Sequence, residues 1–317
     1  MKHIARAAVP ALAAFALAAC GAAPQPLTGE PVSTTGPAPP AEIRVAGVGF
    51  ATPESVLHDA AADVYLVSNI NGSPLDLDDN GFISRLAPDG TVSELKWIDG
   101  AAEGVTLSAP KGMAIIGDTL YVADISVVRR FHRTTGEPQG EIAIPGATFV
   151  NDLAATREGS LLVSDTGVVF GPDGAQDTGS AAVYLIDQGD VITTVATGPS
   201  LERPNGVLDS IARDGLVVVP FGGSAVYLLD EDGERLDLAV LPAGGLDGVV
   251  ETGDGRLLVS SWGGSAVYEV GPTAAVRTLA ENLPAPADLG YDAQRGRILV
   301  PLFNDDAVVI LPAASQP

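Results

Sequence analysis

Cysteine is almost absent, with Cys20 the only one in 317 residues. No disulfide can form within the chain, and no thiol chemistry is available beyond residue 20. Histidine is scarce, limited to His3, His58 and His132. Lys and Arg number 17 against 40 Asp and Glu, a formal net charge of −23. That excess argues against nucleic acid or an anionic lipid surface as a partner, and fits a cation site or simple solubility equally well. No G-x-S-x-G elbow and no phosphate-binding loop is present. No stretch sustains a helical period, whereas strand formers dominate.

What is present begins with a short basic start and an apolar run over residues 1–19, the pattern of a signal peptide rather than of a membrane span. Leu17-Ala18-Ala19-Cys20 resembles a bacterial lipobox. That resemblance implies cleavage before Cys20, lipidation of its thiol and a membrane attachment through the lipid alone. An ordinary secretory signal with an incidental Cys is the alternative. Gly21 at the next position resembles outer-membrane sorting, with the protein facing the periplasm. Residues 20–41, rich in Pro, Gly, Ser and Thr, read as a loose tether that cannot bury a core. Loss of Lys2 and Arg6 with the signal takes the charge to −25. Residues 42–317 are long for one domain but ordinary for a closed β architecture.

The segments GSAAVYLID (179–187), GGSAVYLLD (222–230) and GGSAVYEV (263–270) nearly copy one another, and each follows an apolar strand. Extending the comparison gives six first strands: PESVLHD (53–59), PKGMAII (110–116), VNDLAAT (150–156), PNGVLDS (204–210), LDGVVET (246–252) and PADLGYD (286–292). Their second residues are Glu54, Lys111, Asn151, Asn205, Asp247 and Ala287, at spacings of 57, 40, 54, 42 and 40. A four-stranded blade takes about 40–50 residues, so the expectation is an all-β, six-bladed β-propeller with two insertions. The last blade is one strand short, and EIRVAGVGF (42–50) is expected to close it as the outer strand.

First strands line the central channel of such a fold, so the six aligned residues should ring one mouth. The Gly after Asn205 lets the backbone pass close to its neighbours. Glu54, Asn151, Asn205 and Asp247 all offer oxygen, without His or Cys. Four oxygens plus water suit a hard divalent cation, and two carboxylates in a narrow mouth would otherwise repel each other. Turn residues satisfying backbone groups at blade junctions are the alternative explanation.

Pro53-Glu54-Ser55, Asn151-Asp152, Pro204-Asn205-Gly206 and Asp247-Gly248 resemble, in order, the metal-binding motifs of the gluconolactonase and regucalcin family of propellers. The resemblance implies one divalent cation, Ca²⁺ first, with Mg²⁺, Mn²⁺ or Zn²⁺ as alternatives. It also implies a hydrolase of a small lactone or ester, with Asp247 activating the attacking water. A monomer is the separate expectation. Sugar-lactone enzymes of that family place an Arg two residues before the Asn of Asn-Asp, where this chain has Phe149. A less polar substrate, or none, follows. The second functional reading is therefore a non-catalytic binding propeller pinned by a structural cation.

Other positions extend the site. Lys111 occupies the ring position of the second blade, either to hold a substrate carboxylate or oxyanion, or to pair with Glu54 or Asp247, or to reach solvent. Asp165 and Trp262 end second strands and are expected to line the pocket as substrate-binding residues. Asp76 to Gly81 matches half of an EF-hand loop, but its twelfth position is Ala87, so a polar surface loop is expected. His58 and His132 read as packing or surface residues. The insertions at 68–81 and 164–179 both join a second strand to a third, at the ring end, where loops would cover a substrate.

Overall fold

Alternating apolar residues bounded by Gly, Asp and Asn turns produce short antiparallel strands throughout. A computed structural model describes residues 42–314, residue 173 excepted. The signal segment, Cys20 and the whole of the tether expected over 20–41 lie outside the described residues.

Six four-stranded antiparallel sheets form, five of them with their strands in chain order. The innermost strands of the first five are Pro53–Asp59, Pro110–Ile116, Val150–Ala155, Pro204–Ser210 and Leu246–Glu251. These strands neighbour one another in sequence, and Gly290–Asp292 of the sixth sheet touches both the fifth and the first, closing the ring. The molecule is a six-bladed propeller. Ile43–Ala46 pairs with Ala307–Pro312 as the outer strand of blade six, with Val45 opposite Val308. Ile43–Ala46 thus completes the blade that the strands before Pro312 leave short, which covers an exposed strand edge.

Six clusters of buried side chains hold the ring together, one at each interface between neighbouring blades. Leu66, Ile83 and Ile98 of blade one, for example, pack on Met113, Val122 and Phe131 of blade two. No blade buries its faces alone, so the core is a circle of interfaces rather than one centre.

Blade six departs from the expected pattern. Its innermost strand covers only Gly290–Asp292 instead of 286–292. The preceding segment turns toward blade one, where Asp288 N donates to Glu54 O at 2.9 Å and Ser55 bridges Asp288. Within the blade, Pro286 still bridges Leu302 and Ala287 N donates to Pro301 O at 3.0 Å, so the segment is shared between the two blades. The insertion after Leu161–Asp165 also carries an extra hairpin, Val168–Gly171 against Gly174–Asp177.

Candidate active site

The ring residues sit on a repeated backbone irregularity. In each of the first five blades the register between first and second strand breaks across the aligned residue. The break spans Glu54 in blade one and the pairs Lys111-Gly112, Asn151-Asp152, Asn205-Gly206 and Asp247-Gly248 in the others. A bulge bends its strand and re-aims a side chain. It also frees a backbone N–H, and in three blades a buried serine accepts it. Ser68 Oγ takes the N–H of Ser55, Ser164 Oγ that of Asp152 and Ser260 Oγ that of Gly248, at 2.8–2.9 Å. The glycines are needed for close approach: a Cβ on Gly206 would stand 2.4 Å from Asp247 O.

Glu54, Lys111, Asn151, Asn205 and Asp247 converge on one cavity of about 440 Å³. Each is at most 5% exposed. Glu54 Oε2, Asn151 Oδ1, Asn205 Oδ1 and Asp247 Oδ1 are all buried without a hydrogen-bond partner. A buried acceptor left unpaired is costly, and four in one ring is a deficit of positive charge. Burial raises the pKa of Glu54 well above the usual range, and Asp247 and Asp288 push it further, while Lys111 opposes the rise. Burial, then Asp288, raises Asp247 as well. The Trp262 indole and the Asn205 amide lie near enough to Asp247 to oppose that rise, although Trp262 Nε1 closes no hydrogen bond. Among the described residues no group of three or more His, Cys, Asp or Glu is placed to hold a metal, so a cation here would draw on both amide oxygens. The donor set fits a hard divalent cation.

Thr166 was not anticipated from the sequence. Its Oγ1 accepts from Asn151 Nδ2 at 3.0 Å and donates to Pro204 O at 2.9 Å. That bond fixes the amide so that Asn151 presents oxygen to the ring. Lys111 Nζ donates to Ala109 O at 3.0 Å and lies 4.6 Å from the Phe149 ring centroid. Burial lowers its pKa to about 8, against the pull of Glu54 and Asp124. It therefore does not reach bulk solvent.

Trp262 lines the cavity; Asp165 does not. The Asp165 carboxylate is fully buried and accepts from the N–H groups of Thr148, Phe149 and Gly167. Asp124 does the same for Ser108 and Ala109 in blade two. The expectation for Asp165 is corrected: the acid ending a second strand clamps the chain entering the first strand. The wall is apolar instead, with Phe149, Phe170, Phe221 and Phe303 beside Trp262. Trp262 stands 5.5 Å from Phe221 and 5.0 Å from Phe303, centroid to centroid. Phe221, Trp262 and Phe303 each follow a second strand at the same repeat position, a signal present in the sequence. Both insertions reach the wall, through Ile70 and Pro74 in one and Val168, Phe170 and Ala175 in the other. The Asp76–Gly81 loop is a surface turn in which Asn80 Nδ2 donates to Asp78 Oδ2. His58 packs edge-on against Tyr65, and His132 accepts from the Thr134 and Thr135 N–H groups, both remote from the cavity.

No protein-family model and no curated protein matches the chain. Solved structures are similar to it. A gluconolactonase from Xanthomonas campestris, described as important in glucose secondary metabolic pathways, has 19% identity over 83% of this chain and 86% of its own, with a TM-score of 0.65. A second structure, described provisionally as a gluconolactonase, has 17% identity over 86% and 91%, also with a TM-score of 0.65. A streptogramin B lyase has 11% identity over 86% and 97%, with a TM-score of 0.60. Proteins with such different names share the architecture, so the likeness establishes the propeller fold and leaves the chemistry to the residues of the site.

Proposed function

We propose that this chain is a divalent-cation-dependent hydrolase of lactones or related esters, held outside the cytoplasm by a lipid on Cys20. One observation carries the reading: four oxygens from four blades are buried in one ring without partners. Glu54, Asn151, Asn205 and Asp247 would hold the cation. Ca²⁺ is the first choice, because the ligands are all oxygen and mix carboxylate with amide. When bound, such a cation polarises a substrate carbonyl and makes nearby water more acidic.

The side chains do the rest. Asp247 takes a proton from the attacking water, whose oxygen bonds to the acyl carbon. The acyl C–O bond breaks, and the departing oxygen receives the proton back. Trp262 Nε1, a buried donor without a partner, is available to the substrate carbonyl. Lys111 offsets the charge of Glu54, and the apolar wall excludes bulk water.

The test is Asp247→Asn. An amide cannot accept the proton, so turnover should fall by about 10²–10⁴-fold while the circular dichroism spectrum and oligomeric state stay as in the wild type. Chelation should abolish wild-type turnover, and adding Ca²⁺ should restore it. Wild-type protein that binds the cation yet hydrolyses no lactone or ester would sink the hydrolase reading and leave a binding propeller.

A further inference from the structure

We infer that the substrate carries an aromatic or alkyl substituent where a sugar lactone carries hydroxyls. The chemistry rests on the hydrolase reading above; the shape of the site does not. Outside the four-oxygen ring, few polar side chains line the cavity, and each except Trp262 already holds a protein partner. Thr166 Oγ1 bonds Asn151 and Pro204, Lys111 Nζ bonds Ala109 O, and Arg203 Nε bonds Asp177 Oδ1 at 2.7 Å. Trp262 Nε1 is a buried donor without a partner, and Arg203 is the lining side chain with N–H groups to spare, held by Asp177 at the hairpin. A polyhydroxylated ring would leave most of its hydroxyls facing carbon, with their bonds to water lost.

Five aromatic rings line the cavity in two groups. Phe221, Trp262 and Phe303 form one group of edge-on and tilted rings, and Phe149 and Phe170 a second at 6.0 Å. Phe170 rides on the hairpin of blade three, lines the cavity and is 51% exposed, so it offers carbon at the cavity mouth. The Arg203–Asp177 ion pair ties that hairpin to the entry of blade four. A volume of about 440 Å³ falls in the range of small-molecule pockets, about 300–1,000 Å³. The ring of oxygens then takes the carbonyl end of the substrate, and the aromatic wall takes its substituent.

The experiment uses the full chain with Ca²⁺ and two readouts. Hydrolysis is followed for γ-butyrolactone, γ-octalactone and glucono-δ-lactone. Binding of 2-alkylcyclopentanones, which cannot be hydrolysed, is followed by Trp262 fluorescence in a Trp97→Phe background, since the chain has only two tryptophans. Expected is a gain in kcat/KM and in ketone affinity of about fourfold for each methylene that enters the cavity. Glucono-δ-lactone should lie at least about tenfold below γ-butyrolactone. Phe170→Ser with Phe221→Ser should flatten both slopes.

Glucono-δ-lactone turned over as well as the alkyl lactones would overturn the inference and spare the hydrolase reading. No hydrolysis at all, with ketone affinity still rising along the series, would end the hydrolase reading and keep the apolar site. Ketone affinity independent of chain length, or slopes that survive the double substitution, would overturn the inference whatever the turnover.

Discussion

Asn151 shows how one hydroxyl decides what a ligand presents. Its amide offers both a donor and an acceptor, and only the Nδ2–Thr166 bond selects which faces the ring. Thr166→Val keeps the shape and removes that bond. The amide is then free to turn, and Ca²⁺ affinity by calorimetry should fall about 10–100-fold, the usual cost of losing a partner behind a ligand. Unchanged affinity would mean that Asn151 Oδ1 is not a ligand. Asp165 carries the opposite lesson. In the sequence it stands beside Thr166 at the end of an identical-looking strand, yet its carboxylate serves three backbone N–H groups. Sequence spacing places both residues at the ring face, whereas which one turns inward depends on the backbone donors above the strand end, which spacing does not reveal.

The working element is the bulged first strand, and serine is its clamp. Ser260 Oγ accepts from Gly248 N and donates to Ala287 O, both at 2.8 Å, so it holds the Asp247 bulge and ties blade five to blade six. Ser260→Ala leaves a buried N–H and a buried carbonyl unpaired. Unfolding by urea should show a loss of about 1–3 kcal/mol, with an unchanged slope. A loss below about 0.5 kcal/mol, the scatter of neutral substitutions, would mean the bulge holds without it. Much at this scale was legible beforehand. The GGSAVY repeats and the aligned first strands fix six blades, the ring register and the closing strand 42–50, because each is a local pattern repeated. The Val-Ser ends at 67–68, 163–164 and 259–260 were visible as repeats too, but their purpose depends on an N–H freed by a bulge in another strand. The blade-three hairpin and the shortened strand of blade six stayed hidden. The shortened strand follows from Asp288 turning to Glu54 of blade one, a contact that belongs to closure of the ring. The hairpin instead pairs within its own segment, whose Val-Val-Phe-Gly and Gly-Ala-Gln-Asp strands carry no apolar alternation.

At the scale of the molecule, a net charge of −23 surrounds a channel that already holds too many acids. Burial raises Glu54, Asp152, Asp247 and Asp288, and their mutual repulsion adds to the rise of the first three. Asp288 reaches about 7 from an ordinary 3.8, although hydrogen bonds from Ser55 Oγ and Leu289 N hold it down. Each acid binds its proton more tightly folded than unfolded. The folded state therefore carries more protons above pH 3.8, and the unfolding free energy falls as pH rises, until the folded pKa is passed. Asp59, Asp292 and Glu269 are buried as well, but hydrogen bonds from Arg133, from Tyr65 and Arg295, and from Arg277 and Arg256 lower them. Their stabilising share is lost only on acidification below the usual carboxylate range, outside this window. In chelator, the melting temperature should thus decline from about pH 5 to pH 8. A divalent cation bound by Glu54 and Asp247 takes the place of the protons, so saturating Ca²⁺ should raise the melting temperature most at pH 8 and flatten the decline. Scanning calorimetry at matched ionic strength, with Mg²⁺ and Na⁺ as comparisons, reads both effects. A melting temperature that is flat with pH in chelator, or a Ca²⁺ increment that is the same at pH 5 and pH 8, would separate the buried acids from the cation and remove the electrostatic case for a metal in this ring.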